Sequence, residues 1–129
     1  MKTLSLNVGE RQAILQLCDL KKGGFVEINK IFKLINLVQL TDKEVKLVDY
    51  KIIKNEQGQV VGSQWSNPKY EAEIEFSEEL FNLTKEILEI KDKMANWDIK
   101  DPLTYSAVSL NDKIIALEEA EKEAGKAKK

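Results

Sequence analysis

Hydrophobic and polar positions follow two different periods along this chain, and the change of period divides it into elements. From residue 8 to residue 48, apolar residues recur every three or four positions, which predicts helices. Residues 50–76 form short runs rich in β-branched and aromatic side chains, which predicts strands. The helical period returns from residue 77 onward. The pattern therefore predicts an α+β protein in the order β-α-α-α-β-β-β-α-α, opening with a strand over residues 2–7.

Side chains that cap helices stand where three of the predicted helices begin. Asn7 with Glu10, and Thr41 with Glu44, have the spacing of a capping box, and Ser77 precedes the fourth helix. These residues predict helices beginning near positions 8, 42 and 78.

Two of the predicted helices carry most of the apolar residues. The second helix, over about residues 26–40, is apolar around most of its circumference, so we expect it at the centre of the fold. Apolar residues of the fourth helix recur at heptad-like spacing from Leu80 to Trp97. Residues 98–108, which include Pro102, read as a connector to a fifth helix capped by Ser109. The last two helices are predicted to form an antiparallel hairpin.

The least helical stretch, residues 55–76, predicts a hairpin followed by a strand. Residues 55–58 form a turn in which Gly58 supplies a positive φ, and 67–68 break the chain. Strict alternation then places four residues inward (Tyr70, Ala72, Ile74, Phe76) and three outward (Glu71, Glu73, Glu75). We expect one small antiparallel sheet, with the hairpin beside the first and last strands, packed on the central helix and the helical hairpin.

Length and composition predict one domain in a reducing compartment. A chain of 129 residues can bury its own core, and we expect a single globular unit over 1–124 followed by a flexible basic tail over 125–129. The single cysteine, Cys18, cannot form an internal disulfide. The N-terminus lacks the apolar region of a secretory signal, and no window has membrane-spanning character. These features predict a cytoplasmic protein without a membrane partner.

The residue types disfavour most enzyme classes. The chain has no histidine, the commonest general base and metal ligand. Cys18 lies on the apolar face of a helix, and Gly23-Gly24 lacks the lysine of a phosphate-binding loop. Paired carboxylates such as Glu78 and Glu79 could hold a cation, but their pattern places them in solvent. We therefore expect no catalytic residue, no metal site and no cofactor.

The distribution of charge suggests two binding surfaces. Residues 21–54 hold eight lysines against four acids, whereas residues 71–90 hold seven glutamates against one lysine. In the basic part, three helices followed by a hairpin resemble the order of winged-helix proteins, which read nucleic acids. That resemblance implies phosphate contacts from four lysines (Lys43, Lys46, Lys51, Lys54). The predicted recognition helix, however, carries acids and no arginine, and a bracing hairpin explains the same order.

The acidic strand and the region of Trp65 suggest a protein partner. Glu71, Glu73 and Glu75 would lie roughly 6–7 Å apart, close to the spacing of phosphates along DNA, so they could engage a basic groove. A solvated edge strand has the same pattern. Trp65 precedes a turn, where tryptophan serves either as an interface anchor or as a cover for one end of a core.

The whole layout is similar to that of small tailed-phage accessory proteins. The features that carry the resemblance are an opening strand and Glu-Arg helix (LSLNVGER, followed by Ile14 and Leu15), the acidic capping turn TDKE at 41–44, a ribbon containing Trp65, an acidic strand and two closing helices. The resemblance implies a non-enzymatic protein that binds or inhibits a bacterial host protein, as a monomer or homodimer, or a minor assembly factor. It carries over no functional residue.

Overall fold

The computed structural model describes residues 2–67 and 69–127, and its order of elements matches the prediction. Five helices and four strands are present in this part of the chain, with one short 3₁₀ turn at Cys18–Leu20. The elements are β1 (Lys2–Asn7), α1 (Val8–Leu17), α2 (Phe25–Val38), α3 (Asp42–Leu47), β2 (Lys51–Lys54), β3 (Val60–Gln64), β4 (Glu71–Phe76), α4 (Glu78–Lys93) and α5 (Pro102–Ala127). The α+β class is confirmed.

Strands β1 and β4 form an antiparallel pair with one face in the core. Their register runs from Lys2 opposite Phe76 to Asn7 opposite Glu71. Because side chains alternate along a strand, one face holds the buried residues (Leu4, Leu6, Ile74, Phe76) and the other holds exposed ones. The predicted alternation is confirmed over β4, although Ala72 and Tyr70, which directly precedes the strand, are only partly buried.

The predicted helix starts at Asn7, Thr41 and Ser77 are also confirmed. Asn7 and Thr41 each form a complete capping box with the glutamate three residues on. The Ser77 side chain accepts a hydrogen bond from the backbone N–H of Leu80. Asn7 ends β1 and caps α1 at once, so no loop separates the first strand from the first helix.

The helix at the centre of the fold is α1, not α2 as the apolar pattern predicted. Helix α1 packs against α2, α4 and α5, and most of its side chains are buried, charged ones included. Helix α2 buries Ile31, Leu34 and Val38, but Phe25 is 92% exposed and Phe32 57% exposed. An apolar circumference therefore does not identify the most buried helix here, because α2 leaves its phenylalanines in solvent.

The prediction of a connector over residues 98–108 is wrong, because α5 begins at Pro102. Proline suits the first position of a helix, where its missing N–H would have no intrahelical partner. The Asp101 carboxylate accepts a hydrogen bond from the Leu103 N–H at 3.0 Å. Ser109, predicted to cap the helix, lies inside it.

Helices α4 and α5 form the predicted antiparallel hairpin. Lys85 of α4 pairs with Glu118 of α5 at 2.8 Å, while the short connection after Lys93 joins their other ends. The heptad-like series is buried only at Leu80, Leu83 and Ile87. It ends early because α4 stops at Lys93, so Trp97 lies beyond the helix and is half-buried.

The predicted flexible tail over 125–129 is partly replaced by helix. Helix α5 continues through residues 125–127, and Lys128 and Lys129 lie outside the described residues. Pro68 of the predicted chain break also lies outside them, whereas Asn67 before it has a positive φ of 56°. Within the part of the chain that the structure describes, no helix is long and apolar enough to span a membrane.

Strands β2 and β3 form a second, separate two-stranded sheet. The expectation that this hairpin lies beside β1 and β4 in one sheet is therefore wrong. Among the described residues it pairs with no other strand, and its side chains stay in solvent. We call residues 51–64 the ribbon.

Candidate functional site

The tip of the ribbon is a well-formed turn. The Asn55 side-chain oxygen accepts hydrogen bonds from the backbone N–H groups of Gln57 and Gln59, both at 3.0 Å. Gly58 has a φ of 77° and donates its N–H to the Asn55 carbonyl. Asparagine and glycine are the residues that such a turn requires, so the sequence specifies the hairpin locally.

The two ribbon strands are paired with one irregularity. Lys51 lies opposite Gln64 and Ile53 opposite Gly62, but Lys54 lies opposite Val60, so Val61 is an extra residue. A bulge of this kind increases the local twist of a strand pair. The extra residue Val61 lies directly before Gly62.

The ribbon exposes four large apolar side chains. Ile52 is 57% exposed, Ile53 40%, Val60 65% and Val61 61%. Every residue of β2 and all of β3 except Ser63 are exposed, so neither face of the ribbon is buried. Isoleucine and valine are usually buried, so a group of them in solvent makes the ribbon a candidate contact surface.

Trp65 holds the base of the ribbon. Its ring stacks on Tyr50, with centroids 6.2 Å apart and planes 17° apart. Next to it, the N–H and hydroxyl of Ser66 both donate to the Val48 carbonyl, at 2.7 and 3.0 Å. On the body side, a Cβ added at Gly9 would lie 3.7 Å from the Trp65 ring. Trp65, predicted as a partner contact, is half-buried and anchors the ribbon to α1.

A cleft of about 320 Å³ lies between the ribbon and the body. One wall is β3 with Trp65, and the other is the exposed side of α1 and the first turn of α5. The groups that line it can form hydrogen bonds but carry little charge (Gln12, Gln16, Ser63, Asp101, Ser106). The ribbon therefore stands clear of the helices above its anchored base.

The acidic strand is less free than the sequence suggested. All three predicted contact residues (Glu71, Glu73, Glu75) are exposed. Glu71, however, accepts hydrogen bonds from Lys113 at 2.7 Å and Ser5 at 3.1 Å. The hydrogen bond from Lys113 is the main reason that the pKa of Glu71 lies below its usual value. Only Glu73 and Glu75 remain as a candidate acidic contact.

The four lysines of the winged-helix hypothesis are all exposed (Lys43, Lys46, Lys51, Lys54). Lys51 lies 3.4 Å from Asp49. Helix α3 has six residues, so it is about 9 Å long. Its Glu44 points inward to Arg11, which is not a feature of a surface that reads DNA. The hypothesis stays a prediction.

Arg11 forms a buried polar cluster that sequence reasoning missed. Its guanidinium donates to both Glu44 oxygens, at 2.6 and 3.0 Å, and to the carbonyls of Val38 and Gln39. It thereby satisfies carbonyls at the C-terminus of α2 and links them to α3. Hydrogen bonds from Arg11 are the main reason that the pKa of Glu44 falls to about 2. The Tyr70 hydroxyl also donates a hydrogen bond to Glu44, at 2.8 Å, and this hydrogen bond raises the pKa of Tyr70.

Glu10, next in sequence, forms a second buried cluster on the other side of α1. Its carboxylate accepts hydrogen bonds from Asn7 N–H at 2.9 Å, Ser109 at 2.6 Å and Lys113 at 2.7 Å. Although burial opposes it, the hydrogen bonds to Glu10 and Glu71 raise the pKa of Lys113. The cluster has a structural role, because its hydrogen bonds connect the capping box at the start of α1 to α5.

One signal in the sequence points to Arg11. It is the only arginine, beside nineteen lysines. Arginine suits buried pairing because its planar, weakly hydrated guanidinium donates to several acceptors at once. No comparable signal separates Glu10 from the other glutamates of the chain.

The described residues offer few groups with reactive character. No group of three or more His, Cys, Asp or Glu side chains among them could hold a metal ion. Cys18 is buried, and burial raises the pKa of its thiol to about 11, which disfavours the nucleophilic thiolate. In residues 2–67 and 69–127, every buried side-chain nitrogen or oxygen has a hydrogen-bond partner.

Comparison with known proteins gives no relative: the chain matches no protein-family model, no curated protein and no solved structure.

Proposed function

We propose that this chain is a non-enzymatic protein-interaction protein whose contact surface is the ribbon. The observation that carries the proposal is the exposure of Ile52, Ile53, Val60 and Val61 on a strand pair that buries neither face. These four residues add little to the core, so a role in contact explains why this segment is apolar.

The physical driving force of that contact is burial of apolar surface. Covering apolar surface contributes roughly 25 cal/mol for each Å² removed from water. A two-stranded ribbon is marginally stable by itself in water, and side chains of a partner packed on it would stabilise it. The anchor at Trp65 and Tyr50 fixes the base of the ribbon, so little order has to be gained when a partner binds.

For the partner we propose a bacterial host protein that the chain binds or inhibits. This part of the proposal rests on the similarity of the layout to small tailed-phage accessory proteins. The non-catalytic part is supported by the lack of histidine and by the structural partners of Glu10, Arg11 and Glu44.

The test is affinity co-purification from a bacterial lysate with matched variants. Ile52→Thr/Val60→Thr keeps β-branched side chains in the ribbon and replaces the ethyl group of Ile52 and one methyl group of Val60 with a hydroxyl. Val26→Thr is the control, because Val26 is also exposed, at 69%, but lies on α2. We expect a stoichiometric protein partner that the wild type and the control recover and the ribbon variant loses.

Other outcomes would point to the other surfaces. Recovery that nuclease abolishes, and that Lys43→Ala/Lys46→Ala weakens, would support nucleic-acid binding instead. A partner lost in Glu73→Gln/Glu75→Gln but retained in the ribbon variant would move the contact to the acidic strand. A partner retained in all variants would overturn the ribbon proposal.

A further inference from the structure

The bulge at Val61 decides which side chains of the ribbon share a face. Residues opposite each other in an antiparallel pair have their side chains on the same face, and so do alternate residues along one strand. Ile52 and Lys54 therefore share a face with the residues opposite them, Ser63 and Val60. Val61 lies two positions before Ser63, so its side chain belongs to this face as well. We call it the valine face (Ile52, Lys54, Val60, Val61, Ser63).

The opposite face of the ribbon is less apolar. It carries Lys51 and Ile53 on β2, with Gln64 and Gly62 opposite them. Three of the four exposed apolar side chains of the ribbon therefore lie on the valine face, and only Ile53 lies on the other. Each face carries one lysine, so the faces differ in apolar surface and not in the number of charges.

The valine face looks toward the body of the protein. The ribbon residues that line the cleft are Val61, Gly62 and Ser63, followed by Trp65. Val61 and Ser63 belong to the valine face, and Gly62 has no side chain. The valine face therefore forms the ribbon wall of the cleft, and α1 forms part of the other wall. A partner that covers this face has to enter the mouth of the cleft.

The lysines of the two faces differ in their neighbours. Lys51 lies 3.4 Å from the Asp49 carboxylate, which compensates its charge. Lys54 has no ion-pair partner within residues 2–67 and 69–127. A partner on the valine face removes the Lys54 ammonium from water together with the apolar side chains, and a buried ammonium without a partner costs free energy. Binding is therefore strongest when the partner places a negative charge at this point.

We propose that the protein partner binds on the valine face, with apolar side chains against Ile52, Val60 and Val61 and a carboxylate against Lys54. The inference rests on the proposed function and names the chemistry of its partner, an apolar surface bordered by Asp or Glu. A phosphate would also balance Lys54, but protein–DNA interfaces are more polar and more positively charged than protein–protein interfaces. Three aliphatic side chains beside one lysine therefore favour a protein.

The other wall of the cleft offers hydrogen bonds to the same partner. Gln12 and Gln16 line it and are four residues apart on α1, so their side chains are neighbours. Neither side chain has a hydrogen-bond partner in the part of the chain that the structure describes. A segment of the partner that enters the cleft can therefore contact the ribbon through apolar side chains and α1 through amide hydrogen bonds.

Charge reversal on the two faces tests the proposal with matched variants. Lys54→Glu should weaken binding of the protein partner that the wild type recovers at least about tenfold, because it places two carboxylates against each other. Lys51→Glu makes the same change on the same strand but on the opposite face, and it should weaken binding less than about threefold. Isothermal titration calorimetry with the purified partner measures both affinities. Equal effects of the two variants would overturn the proposal.

A second pair of variants tests the apolar contact on each face. Ile52→Thr should weaken binding at least about threefold, because it removes apolar surface from the contact. Ile53→Thr makes the same change on the opposite face and should bind like the wild type. A larger effect of Ile53→Thr would place the contact on the opposite face, which contradicts the inference but leaves the ribbon as the contact surface.

Carbodiimide cross-linking identifies the group that meets Lys54. The reagent joins an amine to a carboxylate in direct contact, and water is lost as the amide forms. Mass spectrometry of the cross-linked complex should find Lys54 joined to an Asp or Glu of the partner. A link through Lys51 alone, or no link that contains Lys54, would contradict the proposal.

The outcomes separate this inference from the proposed function. If Ile52→Thr/Val60→Thr loses the partner while Lys54→Glu binds like the wild type, the ribbon remains the contact surface and the carboxylate is refuted. If the wild type recovers no protein, both fail. Recovery of nucleic acid instead, weakened in Lys54→Glu, would show a phosphate at Lys54 and overturn the acidic protein partner.

Discussion

The two strand pairs of this molecule have the same number of strands but meet solvent in opposite ways. In β1–β4, one face is closed by the core, and Leu6 and Phe76 are fully buried. In the ribbon, both faces are open, and its isoleucines and valines lie in water. Backbone pairing is antiparallel in both, so hydrogen bonding does not account for the difference.

The two pairs differ in the order of apolar and charged side chains along their strands, and therefore in whether one face can pack against the core. Strand β4 alternates strictly, so all its glutamates lie on one face and its apolar residues on the other. Strand β2, Lys-Ile-Ile-Lys, has one lysine and one isoleucine on each face, so neither face can enter a core without burying a charge. Only the base of the ribbon is attached to the helices, through Trp65. The comparison shows that alternation, more than strand content, decides which pair supports the fold.

The largest expected difference concerns core residues of β4. Phe76→Ala should lower the free energy of unfolding by about 3–5 kcal/mol, because it leaves a cavity in the core. Chemical denaturation followed by circular dichroism measures the change. A loss below about 1 kcal/mol would mean that β1–β4 supports the fold no more than the ribbon does.

The next effect concerns the Arg11–Glu44 pair and depends on pH. The pKa of Glu44 is lowered from 4.5 to about 2 in the folded state, so the unfolded chain takes up its proton first. The stability from this pair is fully present above pH 4.5 and is lost as pH falls toward 2.

Glu44→Gln should therefore cost about 1.5–3 kcal/mol near neutral pH and progressively less near pH 2. Denaturation curves of the wild type and the variant between pH 2 and 7 test this, and Glu73→Gln, on the exposed face, is the control. A constant difference between wild type and Glu44→Gln at all pH values would contradict the paired carboxylate.

A smaller effect is expected at the junction of the two regions. Trp65→Leu removes the stacking on Tyr50, and aromatic pairs contribute about 0.5–1.5 kcal/mol beyond their buried area. Hydrogen exchange of the β2 and β3 amides should become faster, while exchange in β1 and β4 stays unchanged. Faster exchange in both sheets would show that the ribbon and the body unfold together.

The smallest effect is expected in the ribbon itself. Ile52→Thr/Val60→Thr should change the free energy of unfolding by less than about 0.5 kcal/mol, because both side chains are already in solvent. Thermal denaturation measures it. A loss of about 2 kcal/mol or more would show that these side chains pack against the body. The ribbon would then not be a free surface.

Local signals in the sequence predicted most of the elements. The caps at Asn7, Thr41 and Ser77, the turn at Gly58 and the alternation of β4 each depend on neighbouring residues, and the structure confirms them. Exposure of the three strand glutamates also followed from alternation alone.

The errors arose where distant contacts decide. The start of α5 is an exception, because Pro102 follows Asp101, whose carboxylate accepts the Leu103 N–H, so the signal that overturns the predicted connector is local. The central position of α1 depends on the three helices packed around it. Whether the ribbon joins β1 and β4 depends on which edges meet in space. The clusters at Glu10 and Arg11 bring together residues up to about a hundred positions apart, which no periodicity reveals.

The hydrogen bond between Glu10 and Lys113 has a consequence for the order in which the chain becomes structured during its synthesis. The two residues are 103 positions apart, so a ribosome that adds about 5–20 residues per second exposes Glu10 for roughly 5–20 s before Lys113 is made. For about the first two thirds of that time the first strand also lacks β4. The N-terminal segment therefore leaves the ribosome first, but its contacts to α5 can form only after the end of the chain has been made.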